Sequence, residues 1–186
     1  EEVCRAIRRE LGAADVVETA KWQEAIDAAS AKGGGTVVIP KGRHLVGQLE
    51  LKNGVELRLE KDAVLEGAVG LKHYRTFALP CSEGVWSAII VGNGVTNVAI
   101  TGEGTVFGNG AAWPLPTAED FKRGAQEGLR ARGIFFHASK DIRLEDFSLK
   151  DAACWGIVLK NCDGVTARRV KVDNHGNFNN DGFDIE

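Results

Sequence analysis

Two stretches of sequence decide the fold: residues 141–149 read DIRLEDFSL, and residues 164–172 read GVTARRVKV. At an offset of 23 residues their apolar positions coincide: Ile142 with Val165, Leu144 with Ala167, Phe147 with Val170, and Leu149 with Val172. Residues 157–159 and 183–185 repeat at an offset of 26. An internal repeat of about 20–30 residues is typical of solenoids, because one coil cannot bury its apolar side chains alone and stacked coils share a core.

The same period of two runs through earlier parts of the chain. Val55, Leu57 and Leu59 alternate with charged residues, and residues 97–100 (NVAI) repeat the opening of residues 54–57 (GVEL). This alternation predicts short strands with apolar residues inside the solenoid and charged residues outside. The step of three between the apolar positions of residues 144–147 indicates a corner between two sheets. We therefore interpret residues 1–186 as a single all-β solenoid domain.

The ends of a solenoid expose strand edges and apolar side chains, so they need covers. Residues 19–31 show helical spacing of apolar side chains, with Thr19 as the expected N-cap, and this helix is placed to cover the first coil. The last residues, FDIE, resemble the middle of a strand and show no matching cap. We therefore expect a solenoid that is truncated at its C-terminal end.

Residues 108–133 depart from the repeat and form a predicted insertion loop. A second helix is expected over residues 117–129, and the loop carries Lys122, Arg123, Arg130 and Arg132. Loops that project from a rigid scaffold often bind ligands, but a solvated surface helix explains the same pattern. Both interpretations stay open.

Composition excludes several functions. The chain of 186 residues has a net charge of −3, which is not the global basic field typical of proteins that bind nucleic acid. It contains no run of 18 apolar residues that would predict a membrane span. The cysteines Cys4, Cys81, Cys154 and Cys162 lack paired C-x-x-C spacing, so we expect no zinc site. Cys154 and Cys162 are either buried free thiols or a disulfide, and spacing does not decide between them.

Residues 173–184, DNHGNFNNDGFD, concentrate the polar residue types that could carry chemistry. Asn, Asp and Gly also favour turns, so the stretch alone predicts a turn that leads into a strand. Residues 179–184, NNDGFD, resemble the Asn-Thr-Asp-Gly-Ile-Asp signature of the family 28 glycoside hydrolases, the polygalacturonases and rhamnogalacturonan hydrolases. Further segments resemble the same family in the same order: residues 33–42 (GGGTVVIPKG), 97–106 (NVAITGEGTV) and 154–157 (CWGI).

The resemblance implies a right-handed parallel β-helix and an inverting hydrolase of α-linked galacturonic acid chains, without metal or organic cofactor. Inversion requires one carboxylic acid to protonate the leaving oxygen and carboxylate base to activate water. By resemblance Asp181 is a catalytic aspartate that activates the water. Asn179, Asn180, His175 and Asp184 are the expected substrate-binding and supporting residues.

The sequence departs from the family pattern after this signature. The family's Gly-Asp-Asp motif, which supplies the general acid, and its Gly-His-Gly and Arg-x-Lys motifs do not occur. We therefore expect a fragment that is inactive alone, with pectic polysaccharide or oligogalacturonide and a complementary C-terminal piece of the same β-helix as partners. Pectin degradation implies an extracellular or periplasmic location, and Lys and Arg are expected to line the groove that contains Asp181.

Two other functions compete with this one. A non-catalytic β-helix that binds carbohydrate or acts as an adhesin would use the insertion loop and the coil surface. A lyase on the same fold would need a calcium site of clustered carboxylates, and the sequence shows no such cluster. The lyase therefore ranks last.

Overall fold

The computed structural model describes residues 17–75, 77–78, 85–123 and 130–186. The helices in these residues are α1 (Thr19–Ala31) and α2 (Ala118–Arg123), with single 3-10 turns at Leu71–His73 and Gly110–Ala112. The strands, in chain order, are β1 (Gly35–Ile39), β2 (Gly42–Val46), β3 (Leu49–Glu50), β4 (Val55–Leu59), β5 (Ala63–Gly67), β6 (Phe77–Ala78), β7 (Val85–Trp86), β8 (Ala88–Asn93), β9 (Thr96–Thr101), β10 (Thr105–Phe107), β11 (Arg132–His137), β12 (Lys140–Glu145), β13 (Ser148–Lys150), β14 (Ile157–Lys160), β15 (Asp163–Arg168), β16 (Lys171–Asp173) and β17 (Phe183–Ile185). Neither helix of this part of the chain has the length and apolar character that crossing a membrane requires.

Fifteen of these strands form three parallel sheets, and each coil of the chain contributes one strand to each sheet. The first sheet has the order β1-β4-β9-β12-β15, the second β2-β5-β10-β13-β16, and the third β3-β8-β11-β14-β17. Strands β6 and β7 form a separate antiparallel pair. The architecture is a right-handed parallel β-helix, which confirms the predicted fold class.

The strand register follows the sequence repeat. Ile142 lies beside Val165 in the first sheet, and Leu149 lies beside Val172 in the second, each pair 23 residues apart. In the third sheet β14 pairs with β17, residues 157–159 against residues 183–185. The offset rises to 26 because the turn before β17 is longer than the turn before β14.

The core is a stack of inward-facing side chains from successive coils. One column of the first sheet contains Val37, Leu57, Ile100 and Leu144, which neighbour one another in register and are all buried. The side chains that alternate with them on this sheet are mostly polar or charged and lie outside. For the first sheet, the prediction of apolar residues inside and charged residues outside is confirmed.

The corner between the third and first sheets uses left-handed backbone at equivalent positions of successive coils. Gly94, Ala138 and Asn161 have φ values of 64°, 47° and 53°. The N–H of Gly94 donates to the carbonyl of His137 at 2.9 Å, and the N–H of Ala138 donates to the carbonyl of Lys160 at 2.9 Å. The bends therefore stack with their hydrogen bonds directed along the solenoid. Ala138 occupies a conformation that Gly and Asn adopt more easily.

Helix α1 packs against the first coil and buries Trp22 and Ile26. Its N-cap is Glu18, so the expectation that Thr19 caps the helix is wrong. Thr19 is the first helical residue, and its Oγ1 accepts a hydrogen bond from the N–H of Gly47 at 2.7 Å. The hydroxyl joins the helix to the coil beneath it, a tertiary contact that no local sequence pattern reveals.

The predicted second helix begins with a reciprocal cap. Thr117 Oγ1 accepts from the N–H of Asp120 at 3.2 Å, and Asp120 Oδ2 accepts from the N–H of Thr117 at 2.7 Å. Helix α2 follows, and residues 124–129 of the expected helix lie outside the described residues.

Cys154 is buried, Cys162 is half-buried, and no disulfide joins the two. The structure thus decides between the two alternatives that spacing left open. Burial raises the pKa of the Cys162 thiol, which favours its protonated form. Cys4 and Cys81 lie outside the described residues.

Candidate active site around Asp181

Asp181 lies at the end of a turn, residues 174–182, that connects β16 to β17. Asp181 is an exposed residue, whereas hydrogen bonds hold its backbone in place. The carbonyl of Asp181 accepts hydrogen bonds from the N–H of Gly156 at 2.7 Å and from Nδ2 of Asn174 at 3.2 Å. The carbonyl of Gly182 accepts from the N–H of Ile157 at 2.9 Å. The coil below therefore holds the backbone that presents the Asp181 carboxylate.

Gly156 makes this close approach possible. A Cβ atom at this position would lie 2.7 Å from Nδ2 of Asn174, 2.7 Å from the carbonyl oxygen of Gly182 and 2.9 Å from that of Asp181. All three distances are shorter than a van der Waals contact, so any side chain here would push the turn away. The glycine of the Cys-Trp-Gly-Ile stretch thus permits the contact between the two coils.

The opposite side of the turn is clamped by Asn177 and Arg130. Nδ2 of Asn177 donates to the carbonyls of Gly110 at 2.8 Å and Trp113 at 3.2 Å, both in the insertion loop. Its Oδ1 accepts from Nη1 of Arg130 at 2.8 Å and from the N–H of Phe178 at 2.7 Å. Nη1 of Arg130 also donates to the carbonyl of Phe178. We call this pair the Arg130–Asn177 clamp.

An exposed aromatic side chain of the insertion loop packs against an exposed aromatic side chain of the turn. Phe121 of α2 and Phe178 of the turn form an edge-to-face pair with ring centroids 5.3 Å apart. They are 47% and 43% exposed, respectively. The guanidinium of Arg130 lies 5.6 Å from the Phe178 ring. The insertion and the turn that carries Asp181 are therefore one packed unit, which accounts for the position of the insertion beside the predicted site.

Asp184 follows on β17 and is half-buried. Burial raises the pKa of its carboxyl, and the negative charges of Asp181 and Glu186 raise it further, whereas Arg132 opposes the shift. Its Oδ2 is buried and has no hydrogen-bond partner among the described residues. Two carboxylates, one exposed and one partly buried, thus lie close enough to interact electrostatically.

The outer row of the third sheet leads away from Asp184. The row consists of Glu50, Val91, Phe135, Val158 and Asp184, which are neighbours in register. The three middle side chains are at most 4% exposed and pack into a second apolar cluster together with Ala88, Cys154 and Trp155. The expectation of charged residues outside is therefore wrong for this sheet. These positions are almost fully shielded from water, so charged side chains there would be largely desolvated.

The basic residues of the insertion are placed differently from the prediction. Arg130 and Arg132 are both fully buried. The guanidinium of Arg132 lies 4.8 Å from the ring of Trp155, and its charge reaches Asp184. These two residues thus support the site from within the protein and do not line a groove. Lys122 and Arg123 remain exposed on α2.

The other predicted site residues have unequal surroundings. Asn179 has left-handed backbone with φ of 51°. Asn180 has a buried Nδ2 with no hydrogen-bond partner among the described residues. The His175 side chain is 88% exposed, and its Nε2 lies 2.9 Å from Oδ1 of Asp173. The structure brings Asp181 and Asp184 together, and His175 has no contact with either.

Sequence reasoning missed the Arg130–Asn177 clamp and Arg132. The signal for Arg130 and Arg132 was their position immediately before an apolar strand, which is unusual for cations unless they are paired or covered. Asn177 gave no such signal, because Asn is common in turns. Among the described residues, no group of three or more His, Cys, Asp and Glu side chains is arranged to hold a metal ion. The ionisable groups that the site brings together are the carboxylates of Asp181 and Asp184.

Solved structures that resemble the chain include two polygalacturonases and a third protein described as a glycosyl hydrolase. A polygalacturonase of Erwinia carotovora is 26% identical, with a TM-score of 0.72 over 94% of this chain and 50% of its own. The family 28 exopolygalacturonase of Yersinia enterocolitica is 24% identical, with a TM-score of 0.78 over 95% of this chain and 40% of its own. A protein of Parabacteroides merdae described as a glycosyl hydrolase is 26% identical, with a TM-score of 0.71 over 87% of this chain and 72% of its own.

The chain thus spans half or less of the length of the two polygalacturonases. No curated protein matches it. The family model for glycosyl hydrolases family 28 matches residues 30–186, which include the β-helix coils, the insertion and the turn that carries Asp181. On this match over most of its length, the chain belongs to glycosyl hydrolases family 28.

Proposed function

We propose that this chain provides the water-activating side of a pectin hydrolase that cleaves α-linked galacturonic acid chains with inversion. The observation that carries the proposal is the exposed Asp181 carboxylate, whose backbone is fixed by the coil below and which lies beside Asp184 in a family 28 fold. A carboxylate on a fixed backbone needs less ordering of the chain before it accepts a proton from water.

Inversion also requires a carboxylic acid on the other side of the glycosidic oxygen, about 6.5–9.5 Å from the base, because a water molecule must fit between them. We infer that this acid belongs to a further coil that stacks on β15, β16 and β17. In support, Phe183 and Ile185 occupy inner positions of β17 and are 39% and 79% exposed. The proposal therefore includes that the chain alone does not hydrolyse pectin.

The substrate in this proposal is pectic polysaccharide or oligogalacturonide, encountered in the extracellular space or the periplasm. The exposed Phe121–Phe178 pair is suited to contact the apolar face of a sugar ring. The same surface would serve a non-catalytic carbohydrate-binding protein, and the assay below separates the two functions.

The test is a reducing-sugar assay on polygalacturonate, with this chain alone and mixed with a polypeptide that supplies the second acid. Starch serves as a neutral control polysaccharide. We expect no release by the chain alone and release of reducing ends from polygalacturonate by the mixture. Binding of polygalacturonate without any cleavage in the mixture would overturn the proposal in favour of the binding module.

A further inference from the structure

Gln48 is a buried polar side chain at the N-terminal end of the third sheet. Gln48 is 8% exposed, and the Oε1 atom of its side chain has no hydrogen-bond partner among the described residues. Leaving a buried acceptor without a donor costs about 1–3 kcal/mol. A side chain in this state indicates that a ligand with a hydroxyl or N–H group could satisfy it.

Gln48 lines two adjoining cavities. The first has a volume of about 460 Å³ and is lined by Gln48, Glu50, Leu51, Lys52, Arg75, Val91, Asn93 and Val95. The second has a volume of about 490 Å³ and shares Gln48, Glu50, Lys52 and Arg75. Volumes of this size are typical of small-ligand pockets, which span about 300–1,000 Å³. Apolar Leu51 and Val91 beside polar groups offer the mixed surface that a sugar ring requires.

The charges of this pocket differ from those of the chain as a whole. Lys52, Lys72 and Arg75 line the two cavities together with two carboxylates, Asp27 and Glu50. Among the described lining residues, cations therefore outnumber carboxylates by one, whereas the chain has a net charge of −3. A local excess of cations favours an acidic ligand, and the carboxylates can accept hydrogen bonds from its hydroxyl groups.

Arg75 is held at the mouth of the pocket by its neighbours. Tyr74 is buried and donates from its hydroxyl to the carbonyl of Ala68 at 2.8 Å. The N–H of Gln48 donates to the carbonyl of His73 at 3.1 Å. Nη1 of Arg75 donates to Glu50 at 2.8 Å, while its side chain stays 80% exposed. Since a guanidinium has five N–H donors, the fork retains donors for a carboxylate of a ligand.

The pocket lies on the same face of the solenoid as Asp181. Glu50 and Asp184 are the two ends of the outer row, separated by four strand spacings. At ~4.8 Å per strand this separation is about 19 Å. We propose that the Gln48–Arg75 pocket is a second saccharide-binding site that takes an acidic sugar unit, at a distance from the cleavage site. Arg75 and Lys52 bind its carboxylate, and Gln48 accepts a hydrogen bond from a hydroxyl. The inference rests on the proposed function, since it assumes a uronic acid chain as ligand.

The experiment measures the binding of hexagalacturonate by calorimetry to a chain that carries Asp181→Asn, which removes the negative charge at the proposed cleavage site. In this background we compare Arg75→Ala, Gln48→Met and Lys41→Ala. Lys41 is the matched control, because it is an exposed cation paired with a carboxylate, Asp62 at 3.1 Å, outside the pocket. Arg75→Ala and Gln48→Met are each expected to weaken binding about tenfold, and Lys41→Ala to leave it unchanged.

The unfolding midpoint of each variant shows whether it still folds. If Gln48→Met does not fold, Arg75→Ala still decides the test, because Arg75 is exposed and its substitution is not expected to disturb the fold. Hexagalacturonate binding that is equally strong in all three variants would overturn the pocket while leaving the proposed function intact. Binding that depends on Arg75, together with a failure of the complemented protein to cleave polygalacturonate, would overturn the proposed function alone. No binding by any variant would overturn both.

Discussion

The guanidinium of Arg130 and the side-chain amide of Asn177 are joined by a 2.8 Å hydrogen bond, although 47 residues separate them in sequence. Arg130 is fully buried and also donates to the carbonyl of Ala153 at 2.8 Å. The bond links the insertion loop to the turn that carries Asp181. The insertion therefore belongs structurally to the candidate site.

The first prediction concerns this clamp. Asn177→Ala removes one acceptor of Arg130 and the donor to two insertion-loop carbonyls, so we expect a loss of about 2–3 kcal/mol in the free energy of unfolding. Urea denaturation measures it. Asn93→Ala is the control, because Asn93 is exposed and, among the residues that the structure describes, its side chain bonds only to His137, at 2.8 Å. A loss for Asn177→Ala no larger than for Asn93→Ala would show that the clamp does not stabilise the fold.

The second prediction uses two glycines on either side of the same contact. Gly156→Ala places a Cβ 2.7 Å from a backbone oxygen of the turn, whereas a Cβ at Gly182 meets only Val172, at 3.8 Å. We expect Gly156→Ala to cost more than about 2 kcal/mol of stability and Gly182→Ala less than about 1 kcal/mol. Thermal unfolding of the two variants compares them directly. Equal midpoints would contradict the close packing of the two coils.

The third prediction concerns the pH dependence of stability through Asp184. Its pKa is raised in the folded protein by burial and by the charges of Asp181 and Glu186. A group with a raised folded-state pKa favours folding below its unfolded pKa, and this contribution is lost as the pH rises through the folded-state pKa. Asp184→Asn should therefore gain stability relative to the unmodified chain as the pH rises above about 4.

Urea titrations at several pH values measure this difference for Asp184→Asn. NMR titration of the Asp184 carboxyl in Asp181→Asn gives an independent check, since removal of one neighbouring negative charge should lower its pKa. A stability difference that does not change with pH would contradict the surroundings assigned to Asp184.

The fourth prediction concerns the corner formed by Gly94, Ala138 and Asn161. Ala138 has φ of 47° and is exposed, and Asn161 holds the equivalent place in the next coil. Ala138→Asn should stabilise the protein by about 1 kcal/mol, because Asn tolerates left-handed backbone better than Ala. The same substitution in helix α1, Ala28→Asn, should destabilise it by about 0.5 kcal/mol. Urea denaturation that gives both substitutions the same sign would be inconsistent with strain at Ala138.

The fold could be predicted from the sequence because each coil of a solenoid repeats the apolar pattern of the coil before it. The pairing of Ile142 with Val165 and of Leu149 with Val172 appears in the sequence as a constant offset and in the structure as strand register. Each coil packs in nearly the same surroundings as the coil before it, so the local spacing of apolar residues also predicts which residues of neighbouring strands pair. This holds best for the first sheet, where one face is in contact with water.

The features that could not be predicted depend on contacts between distant segments. The sequence pattern places Phe135 and Val158 in strands, but it does not show that their outward side chains are buried in a second apolar cluster. From the sequence we placed Arg130 in a basic loop. Its partner Asn177 could not be identified, because Asn in such a stretch is explained equally well as a turn residue. Burial of a cation depends on partners that only the folded chain brings together.

The central claim is that Asp181 activates the water that hydrolyses a uronic acid chain. The most direct measurement is the rate of polygalacturonate hydrolysis by Asp181→Asn, assayed with the second acid supplied, against the control Asp163→Asn, an exposed position on the first sheet. The account predicts a rate about 10²–10⁴ times lower for Asp181→Asn, because this is the usual contribution of a general base, and no change for Asp163→Asn. Hydrolysis by Asp181→Asn at the unmodified rate would contradict it.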